Sequence, residues 1–288
     1  MAPILEVKNL CKSFGDFALE EVSFSLEPGY IMGFIGPNGA GKSTIIKLIL
    51  NLLRKDRGDI KVFGLDHVKN EQEIKNRIGF VFDENYYYEE LTVSEMKRII
   101  APFYSNWNDK IFKHYMKKFS LPPKRKIKDL SKGMKMKFSL AVALSHNAEL
   151  LIMDEPTSGL DPIIRDELLE ILGEFIQDEN KGVFFSTHIT SDLDKIADYI
   201  TFINEGKIVF SSPKEELWDR YVLVKGEKDL LDADIKKYFI GIRENRFGFT
   251  GLAFDKENMA RKLKGRTVLE KPTLEDIMLY FSGREENV

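Results

Sequence analysis

The stretch GPNGAGKS, residues 36–43, decides the fold, because it fits the phosphate-loop pattern G-x-x-x-x-G-K-[ST] in the setting that gives the pattern meaning. The apolar run YIMGFI precedes it and the amphipathic TIIKLILNLL follows it. A strand entering and a helix leaving gather backbone N–H groups around one point, and the positive end of the helix dipole faces the same point. Lys42 adds a point charge suited to β and γ phosphates, and Ser43 a hydroxyl suited to magnesium. The plain alternative, a glycine-rich turn that binds nothing, leaves the full eight-residue pattern unexplained.

With 288 residues, of which 43% are hydrophobic, the chain can build a large α/β core and about two domains. Its net charge of -3 gives no general attraction to nucleic acid. Cys11 is the only cysteine, which removes internal disulfides and cysteine-rich metal sites and fits a packing residue in a reducing compartment. No run approaches the roughly 18 consecutive apolar residues of a membrane span. The N-terminal MAPILEVKNL lacks the pattern of a signal peptide. The expectation is a protein soluble by itself, whose work at a membrane would need spans from another chain.

Short apolar or alternating runs predict strands at residues 5–7, 22–26, 30–35, 60–63, 78–82, 150–153, 183–186, 200–203 and 207–210. Helical periodicity at 44–53, 162–178 and 190–197 separates some of them, so a mainly parallel α/β sheet is expected. Between about 84 and 147 strand signals give way to helical segments such as 93–104 and 110–119, which reads as a helical insertion in an α/β core of residues 1–212. From residue 213 to 288 short β-like pieces and the capped PTLEDIMLYF indicate a small α+β domain.

LLIMDEP, residues 150–156, is a buried strand ending in Asp154 and Glu155. A carboxylate there can hold magnesium, and its neighbour can polarise water. Paired acids at the end of a buried strand are costly without a cation or a partner. The strand at 183–185 ends in Ser186, Thr187 and His188, and ligands of open α/β sheets gather at the carboxyl ends of strands. His67, His114 and His146 have no metal-binding spacing and read as surface or packing residues. In LSKGMKMKFSLAVALSHN, Ser131 suits a helix N-cap. Ser131 and Gly133 could hold a phosphate there, or simply cap an ordinary helix.

GPNGAGKS, LSKGM, LLIMDEP, SGLD and FFSTH, in this order across residues 3–212, resemble the nucleotide-binding subunit of ATP-binding cassette (ABC) transporters. The resemblance implies a P-loop NTPase core of the ABC type that binds ATP and Mg2+. It makes Gly36, Asn38, Gly39, Ala40, Gly41, Lys42, Ser43 and Thr44 the ATP-binding loop, with Phe14 stacking on adenine. Catalysis falls to Glu155, His188 and Lys42, and the metal to Ser43, Asp83 and Asp154. Ser131, Gly133 and Asp161 would touch the ATP of a second subunit. The implied partners are that second ATPase subunit, identical or not, and separate transmembrane permease subunits of an export-type branch. The implied location is cytoplasmic, peripheral on the inner face of the cell membrane. A soluble cassette acting on ribosomes or DNA and a non-hydrolysing regulatory cassette are the alternatives. The first usually carries two cassettes or long coiled coils, and neither is present.

Three positions depart from the family pattern. Lys132 and Met134 replace a glycine and a glutamine of LSGGQ, and Asp83 stands where a glutamine is usual. Tyr86, Tyr87 and Tyr88 read either as a socket for a permease helix or as packing within the insertion. The cationic run from 124 to 137 reads as a lipid contact or a solvated helix face. The C-terminal domain reads as regulatory, dimerising or plainly stabilising.

Overall fold

The computed structural model describes residues 2–83, 86–254, 256–263 and 265–283. Glu84, the expected start of the helical insertion, and residues 284–288 of the expected C-terminal domain lie outside them. Strands β1 (Leu5–Phe14), β2 (Phe17–Leu26), β4 (Arg57–Val62) and β5 (Leu65–Asp66) form an antiparallel sheet in the order β2-β1-β4-β5. The first two strands run longer than their apolar patterns indicate. Register shifts after Val7 and after Leu10 break the alternation in β1, and Asn9 sits at φ 47. A bulge of this kind turns later side chains to the other face, so a period of two is lost along a strand that continues.

The second sheet holds β3 (Ile31–Ile35), β6 (Ile78–Val81), β7 (Leu150–Asp154), β8 (Gly182–Thr187), β9 (Tyr199–Asn204) and β10 (Lys207–Pro213) in the order β10-β9-β3-β8-β7-β6. Five strands are parallel, and β10 returns antiparallel at the edge. Every residue of β3, β7 and β8 is buried, which explains their uniformly apolar sequence. Register then fixes the site: Ile35 lies beside Thr187 and Asp154 beside Ser186, so three strand ends finish together.

Helix α1 (Lys42–Ile49) and the antiparallel sheet cover one face, where the rings of Phe24, Phe34 and Phe184 meet at 5.1 to 5.5 Å. Helix α2 (Glu71–Arg77) leads into β6. Between β6 and β7 stand α3 (Val93–Ile100), α4 (Asp109–Lys118) and α5 (Lys132–Leu144). Their starts are fixed by a Thr92–Glu95 capping box, by Asn108 and by Ser131. The opposite face carries α6 (Pro162–Phe175) and α7 (Thr190–Ile196).

Helix α8 (Lys214–Arg220) leads to a third sheet of β11 (Tyr221–Gly226), β12 (Phe239–Asn245), β13 (Gly248–Phe254) and β14 (Val268–Glu270), in the order β12-β13-β11-β14. Helices α9 (Ala233–Lys236), α10 (Lys256–Leu263) and α11 (Leu274–Phe281) accompany it. Val222, Val224, Phe249 and Met259 make a small core of their own. Leu274, Ile277 and Tyr280 join the main core instead, and the Phe281 ring reaches Phe202, Phe210 and Tyr221 at 5.6 to 6.3 Å. The C-terminal region therefore shares hydrophobic core with the central sheet.

Candidate phosphate-binding and hydrolytic site

The loop after β3 owes its path to close approach. A Cβ on Gly36 would stand 2.3 Å from the carbonyl oxygen of Ile203, and Gly41 turns into α1 at φ 110. Lys42 is 6% exposed, and its ammonium donates to the carbonyl oxygens of Gly36 at 2.8 Å and Pro37 at 3.4 Å. No side chain caps α1, so its first-turn N–H groups point into the loop without a protein acceptor from the cap. Asn38, Gly39 and Ala40 line a cavity of about 580 Å³, and Ser43 presents its exposed side chain at the same helix start, with Thr44 half-buried behind it.

Glu155 follows β7 in the left-handed region at φ 49, a conformation that costs a non-glycine residue about 1 kcal/mol. It aims the carboxylate at two partners. Oε1 stands 3.4 Å from Lys42 Nζ, and Oε2 accepts from His188 Nδ1 at 2.7 Å and from the His188 backbone N–H at 3.2 Å. Asp154 is 7% exposed, and its Oδ1 accepts from the Ser186 hydroxyl at 2.7 Å. Lys42, Asp154, Glu155 and His188 thus meet at the shared strand ends. Ser186 was visible in the sequence only as part of a polar strand end; its role as the donor that orients Asp154 follows from the register of β7 and β8.

This arrangement suits a nucleoside triphosphate with a metal. Open N–H donors and a buried ammonium match phosphate oxygens. Among the described residues no group of three acidic, histidine or cysteine side chains could hold a metal by itself. Magnesium in such sites takes one or two carboxylates and completes its shell with phosphates and water, as Asp154 and Ser43 would allow.

Other residues singled out in the sequence have local partners. Ser131 accepts from the Met134 N–H at 3.2 Å and caps α5; Asp161 accepts from Ile163 and Ile164 and caps α6. Gly133 lies under Ile164, where a Cβ would stand 2.5 Å from Cδ1. Met134 packs against the main core. Asp83 Oδ1 accepts from Lys132 Nζ at 2.7 Å. Phe14 is 41% exposed at the end of β1, under the Lys12 ammonium at 5.3 Å, whereas Phe17 lines the cavity beside the loop. His67 and His146 are buried packing residues, and His114 stands edge-on to Tyr115.

Geometry bears on two surface readings. Tyr87 packs inside, its ring 4.9 Å from Phe138, and burial pushes its phenol up to about 12, so it is no part of an open socket. Tyr86 and Tyr88, by contrast, stay 69% and 66% exposed, and further exposed apolar side chains, Leu52, Val68, Phe80 and Phe103, line a cavity of about 570 Å³. In the cationic run, Lys126 and Lys128 share Glu90, Lys135 faces Glu89, and Lys137 holds Glu167. These four charges are paired within the chain, as befits a solvated helix face, while Lys124 and Arg125 of the same run stand exposed.

A phosphate loop, a strand-end carboxylate pair and a histidine on one parallel sheet define a P-loop ATPase. The family profile described as ABC transporter matches residues 19–158, and a profile described as AAA domain, putative AbiEii toxin, Type IV TA system, matches residues 123–194. The bacitracin transport ATP-binding protein BcrA of Bacillus licheniformis is 33% identical over 76% of this chain and 73% of its own length. The lantibiotic transport ATP-binding protein SrtF of Streptococcus pyogenes is 34% identical over 76% of this chain and 98% of its own. A solved ATP-binding subunit of an ABC transporter superposes with a TM-score of 0.69 at 29% identity, covering 75% of this chain and 92% of that one. The chain belongs to the ABC transporter family. It is an ATP-binding subunit of that family, an ATPase coupled to transport.

Proposed function

We propose that the chain powers separate permease subunits by closing head to tail with a second ATPase subunit around shared, Mg2+-bound ATP. The observation that carries this reading is the junction of Lys42, Glu155 and His188 at the ends of β3, β7 and β8. Lys42 and the loop N–H groups would bind the β and γ phosphates. Glu155, held by His188, is placed to accept a proton from an attacking water, while His188 keeps its Nδ1–H on the carboxylate. Bound Mg2+, held by Ser43 and Asp154, would neutralise developing phosphate charge. Phe14 and Phe17 are the aromatic candidates for the base. Ser131, Gly133 and Asp161, at the capped starts of α5 and α6, would face the partner's nucleotide.

Residues 1–212 form the ATPase unit in this reading, with 84–147 as its helical insertion, and 213–288 are an accessory unit. The apolar groove around Leu52 and Phe103 would receive a permease segment, because contiguous exposed apolar side chains rimmed by polar ones mark interaction sites. No helix among the described residues is long and apolar enough to cross a membrane, so the spans would come from those partners and the chain would sit peripherally on the inner face. Relatives named for bacitracin and lantibiotic transport support an export-type partner. Glu155→Gln keeps the shape of the site and removes the base. It is expected to bind Mg-ATP, release no phosphate and accumulate as a dimer in light scattering; a variant that stays monomeric at saturating Mg-ATP would overturn the pairing.

A further inference from the structure

Lys132 and Asp83, two of the positions where the chain departs from its family, meet each other at 2.7 Å. Asp83 lies just after β6, and Lys132 opens α5. The lysine stem also crosses the turn before α6: a Cβ on Gly159 would stand 3.4 Å from Nζ and 3.5 Å from Cδ. One side chain therefore runs from α5 to Asp83 and past the Gly159 turn, linking three segments that ring the site. Lys132, Asp83, Lys135, Glu89 and Glu155 line a single cavity of about 430 Å³, so the ion pair and the hydrolytic carboxylate face the same space.

We propose that Lys132 is an exchangeable cation: Asp83 neutralises it in the single subunit, and in the closed pair it transfers to the terminal phosphate of the ATP held by the other subunit. This rests on the head-to-tail pairing proposed above. The pair is open to water, with side-chain exposures of 48% and 40%, and exposed ion pairs of this kind are weak. A triphosphate carries more negative charge than one carboxylate and binds an ammonium through charge-assisted hydrogen bonds. The lysine's flexible four-carbon stem permits the move without displacing α5. Glu89 and Lys135, 3.5 Å apart in the same cavity, keep the remaining charge balanced. Asp83 then acts as an internal competitor that makes closure conditional on nucleotide, rather than as a ligand of the metal.

The test is sedimentation of the full chain in the Glu155→Gln background, titrated with Mg-ATP. Asp83→Asn should tighten the dimer about threefold by freeing the lysine. Lys132→Gln should weaken it about tenfold, and Lys132→Arg should restore it. Adding Asp83→Asn to Lys132→Gln should change nothing further. An Asp83→Asn variant that weakens the dimer, leaves it unchanged or needs more magnesium to form it overturns the exchange. Those outcomes count against the exchange alone when the Glu155→Gln parent dimerises; a parent that stays monomeric removes the pairing and the exchange together.

Discussion

Ser186 shows how a residue with no acid or base chemistry can govern the site. Its hydroxyl is the hydrogen-bond donor recorded on buried Asp154, at 2.7 Å. Groups that orient a metal ligand typically change metal affinity by roughly tenfold or more when removed. Ser186→Ala should raise the Mg2+ concentration for half-maximal phosphate release by about tenfold while the variant still folds, as a magnesium titration of turnover would record. A second residue-scale effect concerns stability. His146 is fully buried and stacked on Tyr104 at 3.9 Å, and burial pushes it down to about 4 from an ordinary 6.5, against a smaller upward pull from neighbouring backbone groups. Between those values the unfolded chain binds the proton and the folded chain does not, so stability rises with pH across that window. The contribution is complete above about pH 6.5 and is lost as pH falls toward 4, at most about 3 kcal/mol. His146→Phe, which keeps the stack, should flatten the slope of denaturation midpoint against pH between 4.5 and 6.5; an unchanged slope would assign it to other groups.

At the scale of elements, the buried strands were the most legible part of the chain. IMGFI, LLIMD and GVFFST are apolar because both faces are covered, and their ends could be placed to within a residue or two. The antiparallel strands were less so, because the bulges in β1 destroy the alternation that reveals a half-buried strand. In the C-terminal region β12 and β14 escaped notice: β12 has no fully buried residue and β14 has three residues. The site was readable wherever a motif fixes chemistry, as at Lys42 and Glu155. It was unreadable where pairing depends on distant segments, as in Ser186 with Asp154 or Lys132 with Asp83. The tyrosine run makes the same point, since spacing alone cannot say which ring turns inward. Tyr87→Ala would leave a cavity beside Phe138 and cost about 3 kcal/mol in denaturant unfolding. Phe103→Ala, 78% exposed in the neighbouring groove, should stay within about 0.5 kcal/mol of the parent yet lose copurification with the membrane subunits. Retained copurification would move the docking surface elsewhere.

For the whole molecule, the C-terminal region is held by α11 as well as by chain continuity. Ile277 is fully buried in the main core, and the Phe281 ring lies against Phe202 and Phe210 of the central sheet. Ile277→Ala should therefore lower the stability of the ATPase core itself by about 3 kcal/mol, seen as one shifted transition rather than the early melting of a separate unit. The same sheet carries the phosphate loop at the end of β3 and the acid pair at the end of β7, with β8 and its His188 between them, so binding and hydrolysis depend on one rigid register. The central claim is that this register seats a triphosphate on the loop with Lys42 as its buried counter-charge. Calorimetric titration with Mg-ATP tests it most directly. The parent chain should take up one nucleotide per subunit, saturably, and Lys42→Ala should lose at least about a hundredfold in affinity, as removal of a buried charge-assisted contact implies. Absence of saturable uptake by the parent, or affinity undiminished in Lys42→Ala, would contradict the account.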